Sequence, residues 1–214
     1  KVRSSEFGVR SSESFPHITV SASDNLFSTD IATVSMVILA PPLVAKPLVA
    51  KPQAGRGAIE PRPGGVSVRR YLESGGTVLL VMKSPEAATI VAALAGIETI
   101  KSQEADVDPP EAGLIRSRAS PWYAMLSQID FKHPLLAPFC EPRFGDFTKI
   151  AFWKYRQINI SDLPSASVLA WFDNNDPALF ELHIGKGSLL VLTSGWEPSD
   201  SNLALSSKFV PLLY

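Results

Sequence analysis

Cysteine is nearly absent: Cys140 carries the only thiol among 214 residues. A single thiol excludes an intramolecular disulfide and any cysteine-rich zinc site. Histidine is almost as scarce, and His17, His133 and His183 are too scattered to give metal-ligand spacing. No cofactor motif stands in for them, so neither a metal nor a cofactor is expected. A charge excess is missing too, with 20 basic side chains against 21 acidic ones. A phosphate-binding face shows a larger basic surplus, which argues against a nucleic-acid partner. No window approaches the ~20 apolar residues of a membrane span, so direct insertion by this chain is not expected.

What the chain does have is apolar residues, at 45% of the total, enough for one domain with a full core. Residues 1–14 repeat Val-Arg-Ser-Ser-Glu at 2–6 and 9–13, show no hydrophobic period, and read as a flexible leader. Residues 15–214 read as the folded domain. Ile18 to Ala22 and Val34 to Ala40 have strand character. Between 41 and 65 six prolines remove donors and restrain their neighbours, predicting a long proline-rich loop. Val66 to Glu73 predicts a short helix closed by Gly75-Gly76, and Thr77 to Met82 a strand buried on both faces. Ser84 and Pro85 then supply an N-cap and first-turn proline for a helix over Ala87 to Ile97. This alternation of strand and helix is the signature of a parallel α/β unit. Lys101 to Glu111 reads as an acidic solvated loop. Phe147 to Tyr155 and Ser167 to Phe172 read as strands, and Ala178 to Ile184 with Ser188 to Thr193 as a tight hairpin through Gly185-Lys186-Gly187. The hairpin predicts an antiparallel extension on one side of a mostly parallel sheet.

Among polar residues, Ser194, Trp196, Glu197 and Asp200 follow the last predicted strand. Ligands of open α/β sheets bind beyond the carboxyl ends of strands, so these four form the candidate ligand-binding rim. The competing reading makes Glu197 and Asp200 helix caps and Trp196 a cover for the sheet edge. A further possibility is small-ligand capture between the proline-rich loop and Trp196. Glu104, Asp106, Asp108 and Glu111 form a charge run typical of a solvated loop. Arg116, Arg118, Trp122 and Tyr123 place basic and aromatic groups together, without the basic surplus that nucleic acid requires.

Three segments carry a resemblance. Tyr71-Leu-Glu-Ser-Gly-Gly-Thr-Val-Leu-Leu-Val81, Ile129-Asp-Phe-Lys-His-Pro-Leu-Leu-Ala-Pro-Phe139 and Gly185-Lys-Gly-Ser-Leu-Leu-Val-Leu-Thr-Ser194 resemble class I glutamine amidotransferase-like domains. The ending from Gly195 to Leu213 resembles the version of that domain found in BatA-like bacterial membrane proteins of the aerotolerance-regulator type, which also carry a double transmembrane region and a von Willebrand A domain. The resemblance implies a flavodoxin-like three-layer sandwich, N-terminally truncated here. It also implies a soluble domain of a bacterial inner-membrane protein, whose partners are the other domains of that protein or further proteins.

A working member of that family needs a cysteine at a sharp turn after a strand, with a histidine and an acid to activate it. The equivalent turn, Val81-Met82-Lys83-Ser84-Pro85, has neither a cysteine nor a glycine pair. Cys140 sits between Pro138 and Pro142 and reads as inert. The leading expectation is therefore a non-catalytic interaction or ligand-sensing domain. The alternative is a Ser-dependent hydrolase or carbohydrate-related enzyme, with Ser84 and His133 as weak catalytic candidates and a rim acid as the third member. His183 alternates with Leu182 and Ile184 and is expected to face solvent.

Overall fold

The computed structural model describes residues 36–40, 63–106 and 123–213. The expectations for the leader, for Ile18 to Ala22, for residues 41–62, and for Asp108, Glu111, Arg116, Arg118 and Trp122 lie outside the described residues.

Six strands form the main sheet: β1 (Met36–Leu39), β2 (Thr77–Val81), β4 (Leu126–Ile129), β6 (Ala166–Phe172), β7 (Pro177–Ile184) and β8 (Gly187–Leu192). Their order is β1-β2-β8-β7-β6-β4. The first three pair in parallel and the last three are added antiparallel, so β1, β2, β8 and β6 run one way, and β7 and β4 the other. The protein is thus a mixed α/β chain with an antiparallel extension beside a parallel core, as the apolar runs and the Gly185-Lys186 turn predict. A separate two-stranded ribbon joins β3 (Ser102–Asp106) and β5 (Lys154–Ile158).

Alternation along the central strands divides the core in two. Val78, Leu80 and Met82, with Leu189 and Val191, face α1 (Pro63–Glu73) and α2 (Ala87–Ala95) through Tyr71, Leu72, Val91 and Leu94. Leu79 and Val81, with Leu190 and Leu192, face the opposite layer, built from Phe139, Phe147, Ile150, Phe152 and Leu203. Each such fully buried side chain contributes about 1.5–3 kcal/mol, so both layers hold the sheet. The first layer is helical. Among the described residues the second is built from the β3–β5 ribbon, through Ala105 and Tyr155, with turns, 3₁₀ segments and the four-residue α3 (Phe209–Leu212).

Two of the motifs noted above meet physically. α1 ends in a Schellman arrangement, with Gly76 N–H donating to Tyr71 O at 2.9 Å, Gly75 N–H to Leu72 O at 3.0 Å, and Gly75 at φ 110°. The β7–β8 turn packs onto that helix end. A Cβ on Gly187 would lie 2.3 Å from the carbonyl oxygens of both Leu72 and Gly76. The double glycine and the Gly-Lys-Gly turn are therefore two sides of one close backbone approach.

Three expectations need correction. Residues 102–106 are not a loop but β3, whose Ser-Gln-Glu-Ala-Asp sequence has no apolar alternation to announce a strand. Phe147 to Tyr155 is not one strand. Phe147 to Ile150 is a turn closed by Ile150 N–H to Phe147 O at 3.0 Å, Phe152 makes isolated bridges to Ala124 and Ser201, and the strand begins at Lys154. The apolar residues of that stretch anchor an irregular segment on the sheet instead of alternating along it. Finally, α2 starts at Ala87 with Glu86, not Ser84, at the N-cap position. The residues before it form successive turns, from Ala87 N–H to Ser84 O and from Ala88 N–H to Pro85 O, both 3.1 Å.

Candidate functional site

The parallel strands β2 and β8 end side by side, tied by Met82 N–H to Leu192 O at 2.9 Å. Beyond them the chain continues as Lys83-Ser84 and as Thr193-Ser194-Gly195, and β5 crosses this end of the sheet. Arg156 N–H donates to Thr193 O at 2.8 Å, and Ser194 Oγ donates to Lys154 O at 2.7 Å.

This crossing carries the Arg156 side chain into the strand ends, where it is 1% exposed. A buried guanidinium requires charge partners and hydrogen-bond acceptors. Nη1 donates to Asp200 Oδ2, and Nη2 donates to the carbonyl of Lys83 and to Glu104 Oε2, the last at 3.4 Å. Nε is left without a partner, as is the buried Ser102 Oγ. Lys83 Nζ bonds to Glu197 Oε1 across the outer side of the same rim. Lys154 Nζ adds a contact to Glu104 Oε1 at 3.5 Å, so three cations and three carboxylates interlock where the strands end.

Of the four rim residues expected from sequence, three take part. Asp200 holds Arg156, Glu197 holds Lys83, and Ser194 braces β5 while also donating to Gly195 O at 3.1 Å. Trp196 does not. It packs into the apolar layer with Leu79 and Leu192, stacks edge-on against Phe209 at 5.3 Å, and lines a small apolar groove with Met36 and Leu213. Apolar cover on that face outweighs any rim contact for an indole. Capture against the proline-rich loop cannot be traced, since 41–62 lie outside the described residues.

Sequence reasoning missed Arg156, Lys83 and Glu104. The available signal was a cation in Lys-Tyr-Arg-Gln-Ile, set between the apolar bodies of Tyr155 and Ile158.

Ser84 is buried at the elbow, and its hydroxyl beside the Glu86 carboxylate holds that group below the ordinary carboxylate range. The Glu86 backbone and the charge of Arg156 act in the same direction, against a small opposing effect of burial. His133 lies elsewhere. Its Nε2 sits 3.2 Å from Glu181 Oε2 in β7. Glu181 pairs across the sheet with Leu190, and Leu190 with Leu79, which is five residues before Ser84. At ~3.3 Å per residue that places the pair roughly 16 Å back along the strands. The two weak catalytic candidates are therefore not brought together. His183 is exposed, as expected, and its Nδ1 faces both Ser188 Oγ at 3.4 Å and Glu181 Oε1 at 3.8 Å. One nitrogen serving both neighbours cannot relay a proton between them. Cys140 is exposed.

A second polar cluster supports β5. Tyr155 OH donates to Asp176 Oδ2 at 2.7 Å, and Gln157 Nε2 donates to the same oxygen at 2.8 Å. Burial, reinforced by the bond to Asp176, pushes the Tyr155 hydroxyl up to about 12.

With this geometry in hand, the chain can be set beside known proteins. No family model and no curated protein matches it. Among solved structures it is similar to the cytoplasmic protein STM3548 from Salmonella typhimurium, at 14% identity and a TM-score of 0.50, covering 86% of this chain and 70% of that one. The likeness is one of fold. The cytoplasmic protein STM1381 from Salmonella typhimurium LT2 is also similar, at 16% identity and a TM-score of 0.43, covering 64% of this chain and 51% of that one. A β-galactosidase from Rahnella sp. R3 matches at 15% identity and a TM-score of 0.45, over 78% of this chain but 21% of the enzyme. Among the described residues no helix is long and apolar enough to cross a membrane.

Proposed function

We propose that this chain is a non-catalytic interaction or ligand-sensing domain of a membrane-anchored bacterial protein. In this reading it keeps a flavodoxin-like, glutamine amidotransferase-like three-layer fold and uses the rim at the strand ends for contact. One observation carries the proposal: the place where a nucleophile would meet its substrate is filled by the Arg156 guanidinium, locked to Asp200, Glu104 and the Lys83 carbonyl. Catalysis there would need a free nucleophile, a base within reach and donors aimed at a developing oxyanion. Ser84 is buried with its hydroxyl beside Glu86, and the His133 ring is held by Glu181. What the rim offers outward is the half-exposed Glu197 with Lys83, a polar surface suited to a partner domain or a small polar ligand.

The purified chain is expected to release no ammonia from glutamine and to hydrolyse no p-nitrophenyl esters above background, with Cys140→Ser and Ser84→Ala leaving both results unchanged. Turnover lost on either substitution would overturn the proposal. NMR titration with the remaining domains of the parent protein, or with glutamine, should shift Lys83 and Glu197 before any other group. Shifts confined to other surfaces would remove the rim from the reading.

A further inference from the structure

Away from the rim, another set of titratable side chains meets around a nearly buried carboxylate. Glu181, its side chain 9% exposed, lies between two imidazoles, with His133 Nε2 3.2 Å from Oε2 and His183 Nδ1 3.8 Å from Oε1. Each ring faces a different carboxylate oxygen, and among the described residues no three such groups converge to hold a metal.

The other nitrogen of His133 fixes the ring's tautomer. Leu135 N–H donates to His133 Nδ1 at 3.3 Å, so Nδ1 presents a lone pair and the proton of the neutral ring sits on Nε2, donated to Glu181. A second proton can enter only at Nδ1, where it would oppose the Leu135 N–H donor to donor. Nε2 keeps its bond to the Glu181 carboxylate in either state, so the longer Leu135 contact is the one that yields. Leu135 has a position of consequence. It lines the apolar groove with Leu79, Leu190, Trp196 and Phe209, on a turn closed by Leu136 and Ala137 N–H to His133 O, both at 2.9 Å.

We propose that His133 is a proton-operated latch on this groove. The neutral ring ties the Leu135 amide, at the groove's edge, to Glu181; the doubly protonated ring keeps Glu181 and releases that amide, while Leu136 and Ala137 N–H still close the turn on the His133 carbonyl. The groups facing the ring are Glu181 and, beyond it, His183 from β7. Ser188 of β8 reaches only His183, while Asp130 and Lys132 belong to the ring's own turn, where Asp130 Oδ1 accepts the Lys132 N–H at 3.0 Å. The latch is independent of the rim reading, because none of its residues belongs to the rim.

Imidazole ¹⁵N NMR and amide exchange on the full chain, followed from about pH 8 to pH 5, test it. His133 should appear as the Nε2–H tautomer at the upper end, and the protection factor of the Leu135 amide should fall about fivefold to tenfold as the ring takes its second proton. His133→Gln, which can still donate to Glu181 but offers nothing at Nδ1, should show the lowered Leu135 protection at every pH. His183→Ala should leave the transition in place. An Nδ1–H tautomer at the upper end, an unchanged Leu135 protection factor through the titration, or loss of the transition in His183→Ala would each overturn the latch. If His133→Gln does not fold, the wild-type titration decides alone.

Discussion

Arg156 and Asp200 form an ion pair with side chains 1% and 6% exposed, joining the middle of β5 to the turn that follows β8. The pair is the centre of the strand-end network, and its burial makes it costly to break. Asp200→Ala leaves the guanidinium buried with Glu104 as its remaining carboxylate, so a loss of about 3–5 kcal/mol is expected in urea denaturation. Arg156→Met combined with Asp200→Leu should cost less than the sum of the single changes, because the double variant strands neither charge. A single-variant loss within about 0.5 kcal/mol would mean that the pair is solvated.

Ser84 and Glu86 give an acid-side test. The Ser84 hydroxyl is the largest influence holding the Glu86 carboxylate low. A carboxylate depressed in the folded state adds stability above its unfolded value and loses it as pH falls through its folded value. Ser84→Ala should therefore raise the Glu86 titration toward the ordinary carboxylate range and flatten that acid-side loss, at a cost of about 0.5 kcal/mol or less near neutrality because the exposed carboxylate is screened by solvent. Carboxyl ¹³C NMR follows the first effect and denaturation at several pH values the second. An unmoved Glu86 would show that the hydroxyl is not its partner.

Tyr155 gives the alkaline counterpart. With its folded value raised from 10.0 to about 12, its contribution to stability is complete below pH 10 and is lost as pH rises through about 12. A near-ultraviolet titration should show a late tyrosine step near pH 12, and Tyr155→Phe should remove it. If all four tyrosines ionise together near pH 10, the contact with Asp176 does not persist in solution.

Gly187 tests the junction between the two glycine motifs. A methyl group there meets two backbone carbonyls at 2.3 Å, and neither can rotate away. Gly187→Ala should cost about 3 kcal/mol or more, at the upper end for overpacking. Lys186→Ala, in the exposed part of the same turn, should stay within about 0.5 kcal/mol. Equal effects would show that the turn does not lie against α1.

The main elements were legible because their signals are local. Val78 to Val81 and Leu189 to Leu192 are apolar without interruption, the pattern of strands covered on both faces, and Gly75 stops α1 at positive φ, whereas the stop at Gly96, one residue before the expected end of α2 at Ile97, was not read. β3 was not legible, because a polar ribbon strand is defined by its partner β5 and not by a period of its own. The site was legible only in outline. Its place beyond the strand ends follows from α/β topology, and Ser194, Glu197 and Asp200 were readable by their position after β8.

The order of apolar runs and turn residues along the chain determined by itself that β2, α2, β7 and β8 would form, and that no thiol stands at the elbow after β2. Only the tertiary structure decided that Arg156 is enclosed, because its acceptors are the Lys83 carbonyl, 73 residues away, and Asp200, 44 residues away. It likewise turned Trp196 toward Phe209 and His133 toward Glu181. Burial and charge pairing are properties of segments brought together in space, whereas hydrophobic period and turn chemistry belong to neighbours along the chain.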